Sequence, residues 1–344
     1  MRNSNIEKLR IVCIFMIITM HVFGQYQNVS DPIFRHTCIF VNAFCNSAVT
    51  IFILISGYYG IKTNWGKWVS LLTVTTFYGW FDLTIHLIPP PELFGGLDPK
   101  EFMRDLMPVF CNRYWFITSY MMLMALSGYI QKFIECLSRK EFLLLISILS
   151  LFVILSPTLF ILEIFKDYGK GFVNMLTAYL IGRYISQYGF PEFVVRHNKV
   201  LVFLLAMSIF LLNECLYLIG LPGLFARDNN ILILFLALSV FCFVIHLPYS
   251  YNKFINIMSG YNLSIYMVHL IFLEMSTDTI RRMLDVPPLI HVVVAIISLY
   301  TISVIIEYIR TALLGRMFQH INENVESSAV SIVQKYLRTA NVYD

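Results

Sequence analysis

The sequence predicts an all-α protein, a polytopic membrane helix bundle of about ten transmembrane helices with cytoplasmic N- and C-termini. Three observations predict it. Of the 344 residues, 58% are hydrophobic and 13% charged, and mean hydropathy is +0.70, whereas a soluble domain carries roughly 25% charged residues. Apolar stretches long enough to cross roughly 30 Å of hydrocarbon recur along the whole chain. Lys and Arg, among them Lys132, Arg139, Lys140, Arg196, Lys199, Lys253, Arg310 and Arg316, gather at the N-terminus and the even-numbered connections. The positive-inside rule then puts those segments in the cytoplasm. The net charge of +4 reflects these anchors and gives no reason to expect a nucleic-acid partner.

The first stretch, 8–26, follows a short basic leader, but no small-residue cleavage site comes after His21-Val22-Phe23-Gly24. It reads as an uncleaved helix rather than a signal peptide. The second, 37–60, closes on Ser56-Gly57-Tyr58-Tyr59, whose small residues permit close helix approach. The third, 68–89, carries Asp82 and His86. After it a proline run from Pro89 leads to Asp98-Pro99, which reads as the cap and first position of a short interfacial helix. The fourth, 114–134, opens with Asn112-Arg113-Tyr114-Trp115-Phe116, either an aromatic belt at the membrane surface or a platform for sugar faces.

Stretches 142–162, 171–189, 199–220 and 230–248 follow, then 259–276, which holds Ser264-Ile265-Tyr266-Met267-Val268-His269 and Glu274, and finally 288–309. Residues 1–316 read as one membrane domain. The tail 317–344 has Val325, Ala329, Ile332, Val333 and Tyr336 at helical spacing, which suits a cytoplasmic interfacial amphipathic helix.

Arg10 and His21 carry the most information about chemistry. Eleven residues of helix turn through about 1100°, three turns and roughly 20°, so both side chains share a face about 16 Å apart along the axis. Ionisable residues inside a membrane helix mark functional sites by default. The plainer alternative makes Arg10 a topology anchor and His21 a packing residue. Asp82, His86, Glu214, Glu274 and Glu307 are further polar outliers, each also explicable as one end of an interhelical hydrogen bond. No metal-ligand spacing, P-loop, dinucleotide fingerprint or nucleophile elbow occurs, which argues against metal, nucleotide and serine-hydrolase chemistry. The seven cysteines form no CxxC pair and suit small apolar packing positions, a Cys38–Cys111 bridge being the one extracytoplasmic pairing to consider.

Glu7-Lys8-Leu9-Arg10 with His21, Phe52 to Tyr58, Tyr114-Trp115-Phe116-Ile117-Thr118-Ser119-Tyr120 and Ser264 to His269 follow one another in an order that resembles acyltransferase family 3. The likeness runs from about Asn5 to Arg316 and looks closest to the bacterial branch that modifies surface polysaccharides. The resemblance implies a multi-pass protein of the cell (inner) membrane that moves an acyl group, acetyl first of all, from cytoplasmic acyl-coenzyme A to a hydroxyl of an extracytoplasmic polysaccharide or lipid-linked glycan. Acetyl-coenzyme A would be the co-substrate, with membrane lipids around the protein and no metal.

By the same resemblance His21 is the catalytic base and Arg10 its partner in the family's Arg–ten residues–His pattern. Lys62 and Lys67 fall where the family's donor-phosphate cations stand, although an arginine is expected there. Lys8, Arg10 and Ser56 join them on the donor side, and Tyr114, Trp115, His269 and Glu274 are acceptor-side candidates. The transfer could run by general base assistance or through an acyl-histidine. A glycan or lipid exporter, or a proton-coupled transporter, is the competing reading, against which no inverted repeat or pair of matched broken helices is found.

Overall fold

The computed structural model describes residues 2–26, 29, 31–62, 65–87, 98–160, 164–220 and 224–340, without the side chains of 224, 326 and 329–340. The described residues are helical, with no strand among them. The proline run from Pro89 and the last four residues of the tail lie outside them.

Each predicted stretch falls on helix. They are α1 (Ser4–Gln25), α2 (Pro32–Cys45) with α3 (Ala48–Tyr59), α4 (Trp65–Leu87), the short α5 (Pro99–Leu106), α6 (Trp115–Glu135), α7 (Arg139–Ser150) continuing to α8 (Ser156–Phe160), α9 (Phe172–Tyr188), α10 (Glu192–Leu218), α11 (Ile231–Ile245), α12 (Lys253–Gly260), α13 (Asn262–Met283) and α14 (Pro288–Ala340). Among the described residues, four spans are long and apolar enough to cross a membrane: Pro32–Tyr59, Arg139–Phe160, Glu192–Leu218 and Pro288–Val325. The pair α12–α13, bent by 50°, makes a fifth if it is one span. The other predicted stretches are shorter or more polar. Only 11% of the most apolar window of α10 is buried. A helix that apolar, left uncovered by protein, needs an apolar surrounding, and the fold is that of a helical membrane protein.

Local sequence explains the boundaries. Asp98 caps α5 by accepting from Lys100 N, with Pro99 in the first turn as predicted. Ser138 and Glu141 form a reciprocal capping box on α7. A π-helical turn, Leu151–Leu155, ends two residues before Pro157, whose missing N–H and ring displace the regular ladder. Helix α14 continues past residue 316 without a break, so the tail read as helical is part of it as far as Ala340, and no proline interrupts it.

The chain forms two compact units, Met1–Ile61 with Tyr129–Ser303, and Lys62–Gly128 with Val304–Asp344. In the first, the start of α1 is tied to the segment after α11: Ser4 N donates to Ser250 O at 2.8 Å and Asn5 Nδ2 to Pro248 O at 2.7 Å. Helices α3 and α9 meet backbone to backbone. A Cβ on Gly57 would lie 2.3 Å from Tyr179 O, and one on Gly182 would lie 2.6 Å from Leu54 O. Ala43, Ile209, Ile233 and Leu236 join α2, α10 and α11 in a common core.

In the second unit, Tyr78 Oη donates to Glu307 Oε2 at 2.6 Å, and Arg310 pairs with the same carboxylate at 2.6 Å. Glu307 is thus the satisfied interhelical group considered above. Glu214 is another, 2.9 Å from His36 in the first unit.

Candidate functional site

Helix α1 carries two polar constellations, one at each end. Near its start Glu7 is buried at 4% exposure. A carboxylate taken out of water needs compensating partners. Glu7 has two: Arg10 Nη1 at 3.0 Å, one turn along the same helix, and Ser259 Oγ from α12. The Arg10 side chain is 31% exposed, so it pairs with Glu7 and stays partly accessible.

Near the other end His21 Nδ1 lies 2.8 Å from His269 Nε2. His269 sits on α13, fully buried, and its Nδ1 lies 3.0 Å from Ile265 O. A carbonyl only accepts, so His269 Nδ1 carries the hydrogen. With both rings neutral, His269 Nε2 is then bare and accepts from His21 Nδ1–H. His21 Nε2 is left with a free lone pair. That tautomer follows from the bonding pattern, and it is the form a general base requires. Lys170, in the turn before α9, acts electrostatically on His21.

The other predicted residues are placed as follows. Lys8 is exposed on α1. Ser56 spends its hydroxyl hydrogen on Phe52 O at 3.0 Å, along its own helix. Lys62 and Lys67 are exposed and belong to the second unit. An arginine does reach the end of α3, but from α9: Arg183 Nη1 lies 3.5 Å from Gly57 O. No spacing argument could have found it, since 126 residues separate the two. Glu274 is exposed, whereas His269 on the same helix is buried, so α13 does not bring them together. Tyr114 is 2% exposed and Trp115 half-buried. The Tyr114 ring therefore offers no open face for a sugar, because it is packed inside the second unit. All seven cysteines, Cys38 and Cys111 included, are free.

The second unit holds a cluster that the sequence did not reveal. Arg113 lies against three carboxylates: Asp82 Oδ2 at 2.5 Å, Glu101 Oε2 at 2.5 Å and Asp105 Oδ1 at 2.8 Å. Asp82 and Asp105 are each 1% exposed. Burial, helped by the adjacent Asp82 carboxylate, pushes the Asp105 carboxyl up to about 6 against the pull of Arg113. Ligand atoms of Asp82, His86 and Asp105 come within 4.8 Å of one another. Those three donors could hold a cation, but the guanidinium already supplies one there. The cluster was hidden because Asp105 arrives on α5, 23 residues after Asp82, outside any helical period.

The acyltransferase 3 family, described as an acyltransferase domain, matches residues 3–308. No curated protein and no solved structure matches the chain.

Proposed function

Because the chain belongs to the acyltransferase 3 family, we propose that this membrane acyltransferase moves an acyl group, acetyl in the first instance, from cytoplasmic acyl-coenzyme A to a hydroxyl of an extracytoplasmic glycan. The observation that supports it best is the His21–His269 pair, which leaves one imidazole nitrogen bare at the end of α1 opposite Arg10. In this reading the chain crosses the inner membrane about ten times with both termini in the cytoplasm, and Arg10 faces that side.

The donor's nucleotide head is strongly anionic. Arg10 and Lys8 would neutralise its phosphates through charge-assisted hydrogen bonds, and Arg183 adds the planar fork that lysine lacks. Lys62 and Lys67, which the family resemblance also puts on the donor side, belong to the second unit. Ser56 would contribute only an oxygen acceptor. The pantetheine arm then carries the thioester along α1 towards His21. His21 Nε2 accepts the proton of the acceptor hydroxyl, and the oxygen attacks the thioester carbonyl carbon. The new C–O bond forms, the C–S bond breaks, and the leaving sulfur takes the proton back from His21 as free coenzyme A. His269 touches neither reactant. It is a positioning residue that keeps the hydrogen on His21 Nδ1.

The experiment uses the purified protein in lipid vesicles, with acetyl-coenzyme A and a mixed bacterial polysaccharide preparation as acceptor. Coenzyme A release and label transfer to glycan are followed together. His21→Ala should lower the rate about 10²–10⁴-fold, the usual scale of general base assistance. Arg10→Ala should act mainly on the donor KM. Full transfer by His21→Ala would overturn the assignment of the base.

A further inference from the structure

The proposed transfer leaves its acceptor unplaced, while a group of polar residues at the His21 end of the first unit has no role. Helix α11 runs antiparallel to α1, since the segment beyond its last turn, Pro248 and Ser250, binds Asn5 and Ser4. From Ser4 to His21 is about 26 Å of helix, and α11 is about 22 Å long. Asp228, Asn229 and Asn230, just before α11, therefore stand near the level of His21.

Two turns interlock there. Asp228 N donates to Tyr168 O at 3.2 Å, and Asn174 Nδ2 donates to Gly169 O at 2.9 Å. Gly169 has φ +81°, and a Cβ on it would lie 2.4 Å from Asn229 N, so only glycine fits. Lys166 and Tyr168 also hold positive φ, 51° and 56°. Such conformations in non-glycine residues persist only where surrounding contacts fix them, and they gather at binding sites.

The polar groups held this way are not paired off. Asp228, Asn229 and Asn230 are 9%, 5% and 2% exposed, and Asn229 Oδ1 and Asn230 Nδ2 have no hydrogen-bond partner. Buried polar atoms are normally satisfied, and each exception calls for a missing partner. Lys170 is exposed beside them and acts on both Asp228 and His21. The set offers acceptors and donors in one place, with the carboxyl groups of Asp167 and Asp228 and the cations of Lys170 and Arg227 around it. An anionic ligand would meet the Asp167 and Asp228 carboxyl groups, and an apolar one would leave Asn229 Oδ1 and Asn230 Nδ2 unpaired. Sugar hydroxyls, which both donate and accept, suit it. The Tyr168 ring, 55% exposed, carries the Arg227 guanidinium 4.8 Å from its centroid, and a pyranose would stack on the side away from it.

We propose that Lys170, Tyr168 and the segment Asp228–Asn230 form the acceptor subsite, a cradle for a neutral polyhydroxyl sugar that presents its reacting hydroxyl to His21. The assignment rests on the acyltransferase reading for the reaction but not for the binding. The test therefore measures both.

Fluorescein-labelled oligosaccharides released from a mixed bacterial polysaccharide preparation are titrated against the full chain in lipid nanodiscs by thermophoresis. Transfer from acetyl-coenzyme A to the same oligosaccharides is followed in parallel. Wild type should bind saturably, and Asp228→Asn, Lys170→Met and Tyr168→Ala should each weaken binding at least about tenfold and raise the acceptor KM alike, leaving the donor KM unchanged. If Asp228→Asn does not fold, Lys170→Met, at an exposed position, decides alone. Variants that bind as wild type does, or a wild type that binds none of the probe, overturn the subsite. If binding depends on these residues but no acyl group is transferred, the subsite stands and the acyltransferase reading falls. If transfer proceeds with an unchanged acceptor KM in the variants, the reverse holds.

Discussion

His269 Nε2 receives the hydrogen of His21 Nδ1 across 2.8 Å, and so decides which nitrogen of His21 remains basic. The decision passes down a short chain of bonds, from the Ile265 carbonyl through one ring to the next. A side chain at 269 that cannot accept would let His21 adopt either tautomer. We expect His269→Phe to lower kcat about 10–10²-fold, a share of what general base assistance contributes. Donor KM should stay within about twofold, since the substituted ring touches neither reactant. A pH–rate profile supplies the check. Loss of tautomer control moves the profile along the pH axis, whereas a merely structural defect lowers the amount of active protein and leaves the profile in place. His269→Gln, whose amide oxygen can accept, should recover part of the rate.

Glu7 makes a second prediction at the opposite end of α1. Its buried carboxylate holds Arg10 and receives Ser259. Glu7→Gln keeps the shape and removes the charge. Because Arg10 is partly exposed, the loss should be about 1–3 kcal/mol, below the range for a fully enclosed pair. A guanidinium released from its partner no longer points one way, so donor KM should rise about tenfold while acceptor KM holds. Thermal unfolding and a two-substrate kinetic matrix measure the two effects. An unchanged donor KM would make Glu7 a purely structural residue.

The crossing of α3 and α9 gives a sharper stability prediction. Gly57→Ala would drive a methyl group to 2.3 Å from Tyr179 O, and Gly182→Ala to 2.6 Å from Leu54 O. Both obstacles are backbone atoms and cannot step aside as a flexible side chain would. Overpacking of this kind costs about 1–3 kcal/mol, and both variants should melt lower than wild type. Because Arg183 contacts Gly57 O, separation of the helices should weaken donor binding as well. Gly315→Ala is the control: its nearest neighbour is a Thr311 methyl at 3.8 Å, in ordinary contact.

The helical order along the chain was legible because apolar runs of span length have few other uses. Arg10 and His21 were legible because one helix carries both and periodicity relates them. Nothing in one-dimensional spacing could pair His21 with His269, 248 residues away, although both stood out as imidazoles in apolar runs. Lys170 and Asp228 gave still less signal. They sit in connections, where polar residues are ordinary, and only burial makes Asp228 unusual. Tyr114 shows what spacing leaves open: an aromatic cluster at a span boundary suggests a surface, and the structure buries that ring. Charge patterning locates a membrane boundary but does not end a helix, and α14 runs on through residue 316.

The cluster around Arg113 yields the last prediction, and its dependence on pH has a definite sign. Asp105 titrates near 6 in the folded protein, lifted by burial and by Asp82, against about 3.9 for an unperturbed aspartate. Between those values the folded chain holds a proton that the unfolded chain releases. The contribution of Asp105 to stability is therefore complete below about pH 4 and declines as pH rises towards 6. Arg113 limits that decline by pairing with the ionised form. Arg113→Met removes the cation and leaves Asp82 and Asp105, both 1% exposed, facing each other. Breaking a buried pair on one side costs about 3–5 kcal/mol, and at neutral pH the variant should lose stability on that scale. Protonation relieves the repulsion, so the deficit should shrink as pH falls from 7 to about 5. Thermal unfolding of wild type and Arg113→Met in one detergent across that range measures it. A deficit that stayed constant with pH would mean that Arg113 acts through packing rather than charge. Asp105→Asn combined with Arg113→Met should recover much of the loss, because one neutral partner removes the opposition between the two carboxylates.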